Sequence, residues 1–332
     1  MNHAKPLLLL FAGAGFAAHA GAPVMKDFWD RARKRLPDEI LRCIGAGFYF
    51  AEYAMGERAD LETAYGAMVF RQVVHGPHFR VATRVSTFTP SREGPKIGEV
   101  VDGFERGIAC VYGGAVLEDK NRWVGDYSEF FDYLLARFRV GVVTTNYDLV
   151  VETALGRVER AGTYCGSQAG CGSKDAIPIL KLHGSVNWPQ NSKRELGTIG
   201  MDAEPVERPL VIPPTWNKAL IPNEPITAVW RDAIELISAA DAVLVIGHSF
   251  PTTDMHLDYL FAEGMSKREG APAHKRVTVA DPDVKTGARV RSRFDRYQTV
   301  ERAVRHRVGF EKILSALQEG RIVLEQPGAD CR

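Results

Sequence analysis

The stretch PLLLLFAGAGFAAHAGAP, residues 6–23, fits two different kinds of segment. A basic residue, Lys5, precedes an apolar run that ends in small residues, which is the pattern of a secretory signal peptide. The same run breaks into Gly13-Ala14-Gly15, which is how a nucleotide-binding fold begins. In that fold the glycines turn the backbone sharply and bring it close to a phosphate. Because the turn alone is a weak signal, the rest of the chain must decide.

Composition indicates an ordinary globular protein. The 332 residues are 45% hydrophobic and 25% charged. The 42 Lys+Arg against 41 Asp+Glu give a net charge of +1, so no global field attracts a nucleic-acid backbone. No apolar run reaches the roughly 18 residues that cross a bilayer. The five cysteines are scattered and odd in number, which favours a reducing compartment. We therefore expect a cytoplasmic protein with no membrane association and no direct nucleic-acid binding.

Short β-rich apolar runs alternate with helical patterns along most of the chain, which predicts a doubly wound, mostly parallel Rossmann-like α/β sheet. Strands are predicted at residues 6–12, 139–145, 177–182, 242–247 and 276–280, with shorter candidates at 210–212 and 298–304. Helices are predicted at residues 148–160, 226–240, 253–266, 283–294 and 309–319.

Residues 37–138 form the exception, since they are mostly helical in pattern and lack convincing strands. A polar loop is predicted inside this region at residues 86–96. We therefore predict an α/β domain made of residues 1–36 and 139–332, with a mainly helical module of residues 37–138 inserted after the first strand and helix.

Polar side chains stand at the carboxyl ends of the predicted strands, where ligands bind in open α/β sheets. The motifs are TTNYD (144–148), KLHGS (181–185), GHSFPTTD (247–254) and ADPD (280–283). Each has a purely structural alternative. Asp148 could cap the helix that follows it, and Thr253 or Asp254 could cap the later one. Asn146 could make an Asx turn, and His183 could be a buried, satisfied histidine. The position of His183 directly before Gly184 and Ser185 favours a ligand role.

Taken in order, the GAG turn, TTNYD, KLHGS, GHSFPTTD and VTVADPD resemble the motifs of the sirtuin superfamily. The pattern is similar to the bacterial sirtuin-like branch of anti-phage defence, whose members hydrolyse NAD. Protein-deacylating sirtuins carry four zinc-binding cysteines in two C-x-x-C pairs, and this chain has no C-x-x-C. Cys165 and Cys171 alone cannot supply four tetrahedral ligands. The sequence after the histidine, GSVNW, also differs from that of deacylases, so we expect no metal and no deacylation.

The resemblance implies NAD as substrate and a site at the carboxyl edge of the sheet. Asn146 and His183 are the implied catalytic pair at the nicotinamide ribose. The glycine-rich turn would hold the pyrophosphate, and Asp281 would accept from ribose hydroxyls. The implied binding residues are Gly13, Ala14, Gly15, Phe16, Thr145, Asp148, Gly184, Gly247, His248, Ser249 and Asp281. Cleavage after residue 20 would remove the first strand and its turn, so we expect this segment to be retained.

The expected activity is therefore that of an NAD glycohydrolase, acting as a regulated effector that depletes NAD in anti-phage defence. An unregulated NAD hydrolase would poison its own cell, so we expect control by homo-oligomerisation or by a partner protein. The alternatives are a sirtuin-like deacylase or ADP-ribosyltransferase, and a non-catalytic sensor of NAD or ADP-ribose. A hydride-transferring dehydrogenase is less favoured, because no predicted strand leads to an acidic residue about 20 positions after the turn.

Overall fold

The computed structural model describes residues 5–81, 94–114, 120–159, 162–165, 176–190, 196, 199–200, 202–212, 224–251, 254–266, 272 and 274–324. In these residues the strands are β1 (Leu7–Ala12), β2 (Arg139–Thr144), β3 (Gly162–Tyr164), β4 (Ile177–Lys181), β5 (Gly184–Pro189), β6 (Pro209–Val211), β7 (Ala242–Ile246), β8 (Lys275–Ala280) and β9 (Val300–His306). The α-helices are α1 (Ala14–Ala17), α2 (Phe28–Arg35), α3 (Asp38–Met55), α4 (Leu61–His75), α5 (Ile97–Ile108), α6 (Lys120–Arg137), α7 (Val150–Arg157), α8 (Glu224–Ala239), α9 (Met255–Gly264), α10 (Val284–Phe294) and α11 (Phe310–Gln318). A π-helical segment, Ala109–Gly113, extends α5.

Seven strands form one parallel sheet in the order β3-β4-β2-β1-β7-β8-β9. The first strand lies at its centre, with β2 on one side and β7 on the other. Ala12 at the end of β1 pairs with Thr144 and with Ile246, so all three strands end at the same height. The chain order reverses beside β1, and such a switch point opens a crevice beyond the carboxyl ends of the strands. The loops after β1, β2 and β7 therefore meet at one place.

The predicted α/β class and parallel sheet are confirmed. The strands predicted at 6–12, 139–145, 177–182, 242–247, 276–280 and 298–304 all belong to this sheet, with ends that differ by at most two residues. The candidate at 210–212 is a strand, β6, but it pairs antiparallel with β5 in a separate two-stranded sheet. Two strands were not predicted. Strand β3 is only three residues long, and β5 contains glycine, asparagine and proline, which disfavour strands.

The first strand is one of the most buried parts of the protein, since residues 8–12 are fully inaccessible to solvent. Apolar side chains can follow one another without alternation here because helices cover both faces of the sheet. Residues 7–12 of the stretch quoted at the start therefore form the central strand of the sheet, as the nucleotide-fold interpretation predicts.

The helical region contributes to two different apolar cores. Helices α2 to α5 and the π segment enclose a cluster of their own, which includes Phe28, Ile44 and Phe104. Helix α6 instead buries Trp123 and Phe130 against the core of the main sheet. Helices α3 to α6 lie within the predicted module, whereas α2 precedes it and packs with the helical cluster. Helix α6 belongs by packing to the α/β part. The division into two domains stays a prediction, and most of the polar loop predicted at 86–96 lies outside the described residues.

None of the helices that the structure describes combines the length and the apolar character needed to span a membrane.

The turns after β1 and β7 pack directly against each other through glycines. Gly13 donates its N–H to Ile246 O at 3.0 Å, and Gly15 donates to Gly247 O at 2.8 Å. An added Cβ on Gly13 would lie 2.5 Å from His248 Cβ, and one on Gly15 would lie 2.8 Å from Gly247 Cα. Gly247 has a φ of +63°, a conformation that side chains disfavour. We call these three residues, Gly13, Gly15 and Gly247, the glycine contact.

We expect Gly13→Ala to lower the free energy of unfolding by about 1–3 kcal/mol, because its methyl group would displace the backbone of the β7 turn. The matched control is Gly125→Ala in helix α6, where no atom lies within 4 Å of an added Cβ. That change should raise stability by about 0.5–1 kcal/mol through helix propensity. Urea denaturation followed by circular dichroism compares the two, and a Gly13→Ala protein as stable as the wild type would contradict the packing argument.

Candidate functional site

A cavity of about 770 Å³ lies beyond the carboxyl ends of β1, β2 and β7. We call it the inner cavity. Of the predicted site residues, it is lined by Ala14, Thr145, Asn146, Asp148, His183, Gly247, His248 and Ser249. The two predicted catalytic side chains therefore face the same space, although they are 37 positions apart in the chain.

A second hollow, the outer hollow, continues from the inner cavity toward β8 and has a volume of about 1530 Å³. The two share Ala14, Met25, Gly247 and Ser249, so they form adjoining parts of one cleft. The outer hollow also contains Gly15 and Asp281. Gly13, Phe16 and Gly184 line neither part, and all three are buried in the wall behind.

Asn146 is held at the mouth of the inner cavity by its neighbours. Its backbone N–H donates to Thr144 Oγ1 at 3.0 Å, and the Thr144 hydroxyl donates to Ala12 O at 2.8 Å. Its side-chain amide donates from Nδ2 to Gly13 O at 3.0 Å. Since a primary amide has two N–H groups and an acceptor oxygen, this contact fixes the side chain and leaves polar capacity for a ligand.

His183 owes its position to the small sheet of β5 and β6. The Ile212 N–H donates to His183 O at 2.7 Å. The following residue, Gly184, has a φ of +81°, and a Cβ there would lie 2.1 Å from Leu210 O. The glycine in KLHGS therefore permits a close approach of two backbones. The ligand-binding role of Gly184 stays a prediction.

The imidazole of His183 lies beside the carboxylate of Asp254, which the sequence analysis considered as a helix cap. His183 Nε2 is 3.7 Å from Asp254 Oδ2, and both side chains are more than nine-tenths buried. Asp254 stands at the start of α9, yet its side chain makes no capping hydrogen bond. The interpretation of Asp254 as a helix cap is therefore wrong. Thr252 and Thr253 of the same motif lie outside the described residues.

Asp148 is buried on the floor of the inner cavity, where its Oδ1 accepts the Val150 N–H at 3.1 Å. Burial raises the pKa of Asp148 to about 6, although the nearby Lys181 ammonium acts in the opposite direction. Lys181 itself is buried and donates to the Asp148 carbonyl oxygen and, at 2.9 Å, to Glu152 Oε1. A buried ammonium thus ties the loop that carries Asn146 and Asp148 to helix α7.

Three amides in and beside the glycine-rich turn are bonded within the protein, and the phosphate-binding role that the resemblance implies for this turn stays a prediction. The N–H groups of Gly13 and Gly15 are donated to the β7 turn, and the Phe16 N–H is donated to Gly13 O at 2.9 Å. Helix α1 has only four residues, too short for a sizeable dipole. Phe16 is fully buried and its ring packs edge-on against Tyr127 and Phe310. The structure therefore shows Gly13, Gly15 and Phe16 in packing roles, through close backbone contacts and the buried phenylalanine ring.

His248 and Asp281 complete the β7 and β8 ends of the cleft. His248 Nδ1 accepts the Phe250 N–H at 3.0 Å, and its ring packs edge-on against Phe11, so this histidine shapes its own loop. Asp281 is buried, and its Oδ1 accepts the Asp283 N–H at 2.8 Å. Burial raises the pKa of Asp281. Its position in the outer hollow leaves the carboxylate near any ligand that extends there.

Acidic side chains predominate around the inner cavity. Three carboxylic acids line it, Glu62, Asp148 and Asp254, and its described lining contains no lysine or arginine. Glu62 comes from helix α4, and the neighbouring Tyr112 comes from the π segment. Sequence analysis missed both, because a single acid or tyrosine in a helical pattern carries no signal of the cavity that it faces. The arrangement suits a ligand group with positive charge.

The part of the chain that the structure describes has no group of three or more His, Cys, Asp or Glu side chains that could hold a metal ion. Cys165 is half of a disulfide, which the sequence analysis did not predict.

Asp148→Asn tests the energetic state of the buried carboxylate. The folded protein holds the Asp148 proton more tightly than the unfolded chain, whose pKa is near 3.8. The ionised group therefore destabilises the fold above about pH 6, and the effect fades as the pH falls toward 4. We expect Asp148→Asn to exceed the wild type in stability near pH 8, by at most about 3 kcal/mol, with the difference shrinking toward pH 4.

Urea denaturation at several pH values measures that difference. Asp258→Asn is the control, since Asp258 is an aspartate paired with Arg293 and Arg296 nearer the surface. An Asp148→Asn protein that is less stable than the wild type at pH 8 would contradict the sign of the effect.

Comparison with known proteins gives one family match. Residues 140–301, just under half of the chain, match the family model of a SIR2-like domain. This stretch includes Asn146, His183 and Asp281 but not the glycine-rich turn. No curated protein matches the chain.

Several solved structures are similar to the chain at low identity. Sir2Tm bound to a propionylated peptide is 14% identical over 96% of this chain and 95% of its own, with a TM-score of 0.39. A mutant Sir2 homologue in complex with ADP ribose is 14% identical over 97% and 96%, with a TM-score of 0.39. Sir2 in complex with an inhibitor, 2'-O-acetyl-ADP-ribose and a deacetylated peptide is 13% identical over 96% and 95%, with a TM-score of 0.38. The family match supports a sirtuin-like, NAD-related function for the region that contains Asn146 and His183.

Proposed function

We propose that this protein is an NAD glycohydrolase, which cleaves NAD⁺ into nicotinamide and ADP-ribose. The observation that carries the proposal is the convergence of Asn146 and His183 on one cavity that three acidic side chains line. The match of residues 140–301 to a SIR2-like domain supports NAD as the substrate class.

The acidic inner cavity fits the nicotinamide end of NAD⁺, which carries a positive charge on the pyridine ring. Carboxylates in a partly desolvated cavity stabilise such a charge more strongly than they would in water. The outer hollow continues toward Asp281 at the end of β8, where a carboxylate can accept from ribose hydroxyls. In this arrangement the dinucleotide lies across the glycine contact, with its adenosine half in the outer hollow.

The reaction breaks the bond between ribose C1′ and the pyridine nitrogen. The bonding electrons return to that nitrogen, so nicotinamide leaves as a neutral molecule and needs no general acid. A water oxygen bonds to C1′, and one water proton is lost. The transition state resembles an oxocarbenium ion, as in glycoside hydrolysis, and the acidic lining that suits the pyridinium also suits this second cation.

Asn146 and His183 have complementary roles in that step. The Asn146 side chain, fixed through Gly13 O, offers polar atoms that hold the ribose or the attacking water. The neutral imidazole of His183 accepts the proton that water or a ribose hydroxyl loses. Asp148 contributes to the negative lining when it is ionised.

The same proposal extends to a regulated effector that depletes NAD during phage infection. The defence role follows only from the resemblance described above. The regulated part is supported by Glu62 and Tyr112 of the inner cavity, which come from the helical region rather than from the sheet. A homo-oligomer or partner protein that shifts those helices would alter the cavity directly.

We expect His183→Ala and Asn146→Ala each to slow nicotinamide release from NAD⁺ by roughly 100-fold or more, since general base catalysis and positioning each contribute at that level. Chromatography of nicotinamide and ADP-ribose measures the rate, and circular dichroism checks the fold. The matched controls are His274→Ala and Asn121→Ala, two exposed positions outside the cleft. Full turnover after either change at Asn146 or His183 would contradict the assigned roles.

A further inference from the structure

The pair formed by His183 and Asp254 has no counterpart in the sequence-based expectations. The two residues are 71 positions apart, and their side chains meet in the wall of the inner cavity with 3.7 Å between Nε2 and Oδ2. Both side chains are over nine-tenths buried, so water screens their interaction less than it would at the surface.

The side chain of Asp254 does not cap the helix that it precedes. The first contacts of α9 are backbone bonds, from Asp254 N–H to Pro251 O at 3.0 Å and from Leu257 N–H to Asp254 O at 3.1 Å. The preceding loop is held in an unusual conformation, since Phe250 has a φ of +47°. Strained backbone of this kind persists where the surroundings over-determine it, often at functional sites.

We propose that Asp254 is a positioning residue for His183, which orients the imidazole ring and stabilises the imidazolium that forms when His183 accepts a proton. A carboxylate beside one ring nitrogen determines which nitrogen carries hydrogen and which one can accept it. The catalytic part of this inference rests on the proposed NAD hydrolysis, whereas the ion pair itself does not.

Other titratable groups also face the space around His183. They are Tyr147, whose ring centroid is 6.4 Å from that of His183, and Glu62, Tyr112, Asp148 and His248 in the lining of the inner cavity. Asp148 and Glu62 act in the same direction as Asp254 when they are ionised, and His248 acts against it when protonated. The contribution of Asp254 must therefore be measured by changing Asp254 alone.

The experiment is an NMR titration of the histidine ring protons in the full chain, in the wild type, in Asp254→Asn and in Asp258→Asn. The protein has nine histidines, so the signal that disappears in His183→Gln identifies His183. Loss of a carboxylate at this distance should lower the pKa of His183 by about one pH unit or more. Asp258→Asn removes an aspartate one turn further along α9 that pairs with arginines, and it should leave the His183 titration unchanged.

Kinetics on the same proteins separate positioning from a merely structural role. The rate of nicotinamide release should rise with pH as His183 loses its proton, and this rise should move to lower pH in Asp254→Asn. The rate above that range should fall about tenfold or more. Asp254→Glu, which keeps the charge, should recover part of the rate. These effects require a folded protein, which the NMR spectra report directly.

The NMR titration and the kinetic measurement can contradict different parts of the proposal. A His183 titration that is the same in Asp254→Asn and in the wild type would overturn the ion pair, whatever the enzyme does. A shifted titration together with an unchanged pH–rate profile would overturn the positioning role. A wild type that leaves NAD⁺ intact, with a shifted titration, would instead refute the proposed hydrolysis and leave the ion pair standing.

Discussion

The candidate site depends on the close packing of the turns after β1 and β7 at the glycine contact. Gly13 and Gly15 meet Gly247 at distances that leave no room for a Cβ, and backbone hydrogen bonds lock the two turns together. Strands β1, β2 and β7 end at the same height in the sheet. The glycine contact therefore fixes where the loops after these three strands begin relative to one another. Gly13 O also accepts a hydrogen bond from the Asn146 side chain, so the turn positions this amide as well as a backbone. The N–H groups of Gly13 and Gly15 are both donated to the strand end and turn of β7, so interlocking backbones give these two glycines a structural role.

Buried charge beneath the site is the second requirement of this arrangement. Lys181 and Glu152 are each only 1% exposed, and the hydroxyl of Tyr164 also donates to Glu152 Oε1 at 2.9 Å. Removing two charges from water is expensive, and their attraction offsets the penalty only when further hydrogen bonds satisfy both groups. The ammonium meets part of this need by bonding to the Asp148 carbonyl oxygen, which also immobilises the loop after β2. Stability is thereby tied to the same backbone that presents Asn146 and Asp148.

Much of the fold and of the site could be predicted from sequence, for identifiable reasons. Buried parallel strands read as unbroken apolar runs, so β1, β2, β7 and β8 are visible in the sequence. Polar residues after such strands must gather at one edge, which places Asn146 and His183 together. Neither argument reveals which backbone N–H groups are already bonded, so the phosphate role of Gly13 and Gly15 could not be checked. Asp254 and Glu62 reach the cavity from helices, and their direction depends on tertiary packing that no local pattern encodes.

The helical region and the loops that carry Asn146 and His183 share one apolar core, and this sharing gives the proposed regulation a physical basis. The cluster enclosed by α2 to α5 also contains Tyr147, Leu149 and Val186, which flank Asn146 and Asp148 or follow His183 in the chain. Tyr147 anchors that packing by donating to Ile212 O at 2.7 Å, and its ring lies edge-on to Tyr112 of the π segment. Packed cores tend to switch between discrete arrangements because they resist gradual deformation. A partner that repacks these helices would therefore displace the loops that carry Asn146 and Asp148 along with the walls of the cavity, without entering the cavity itself.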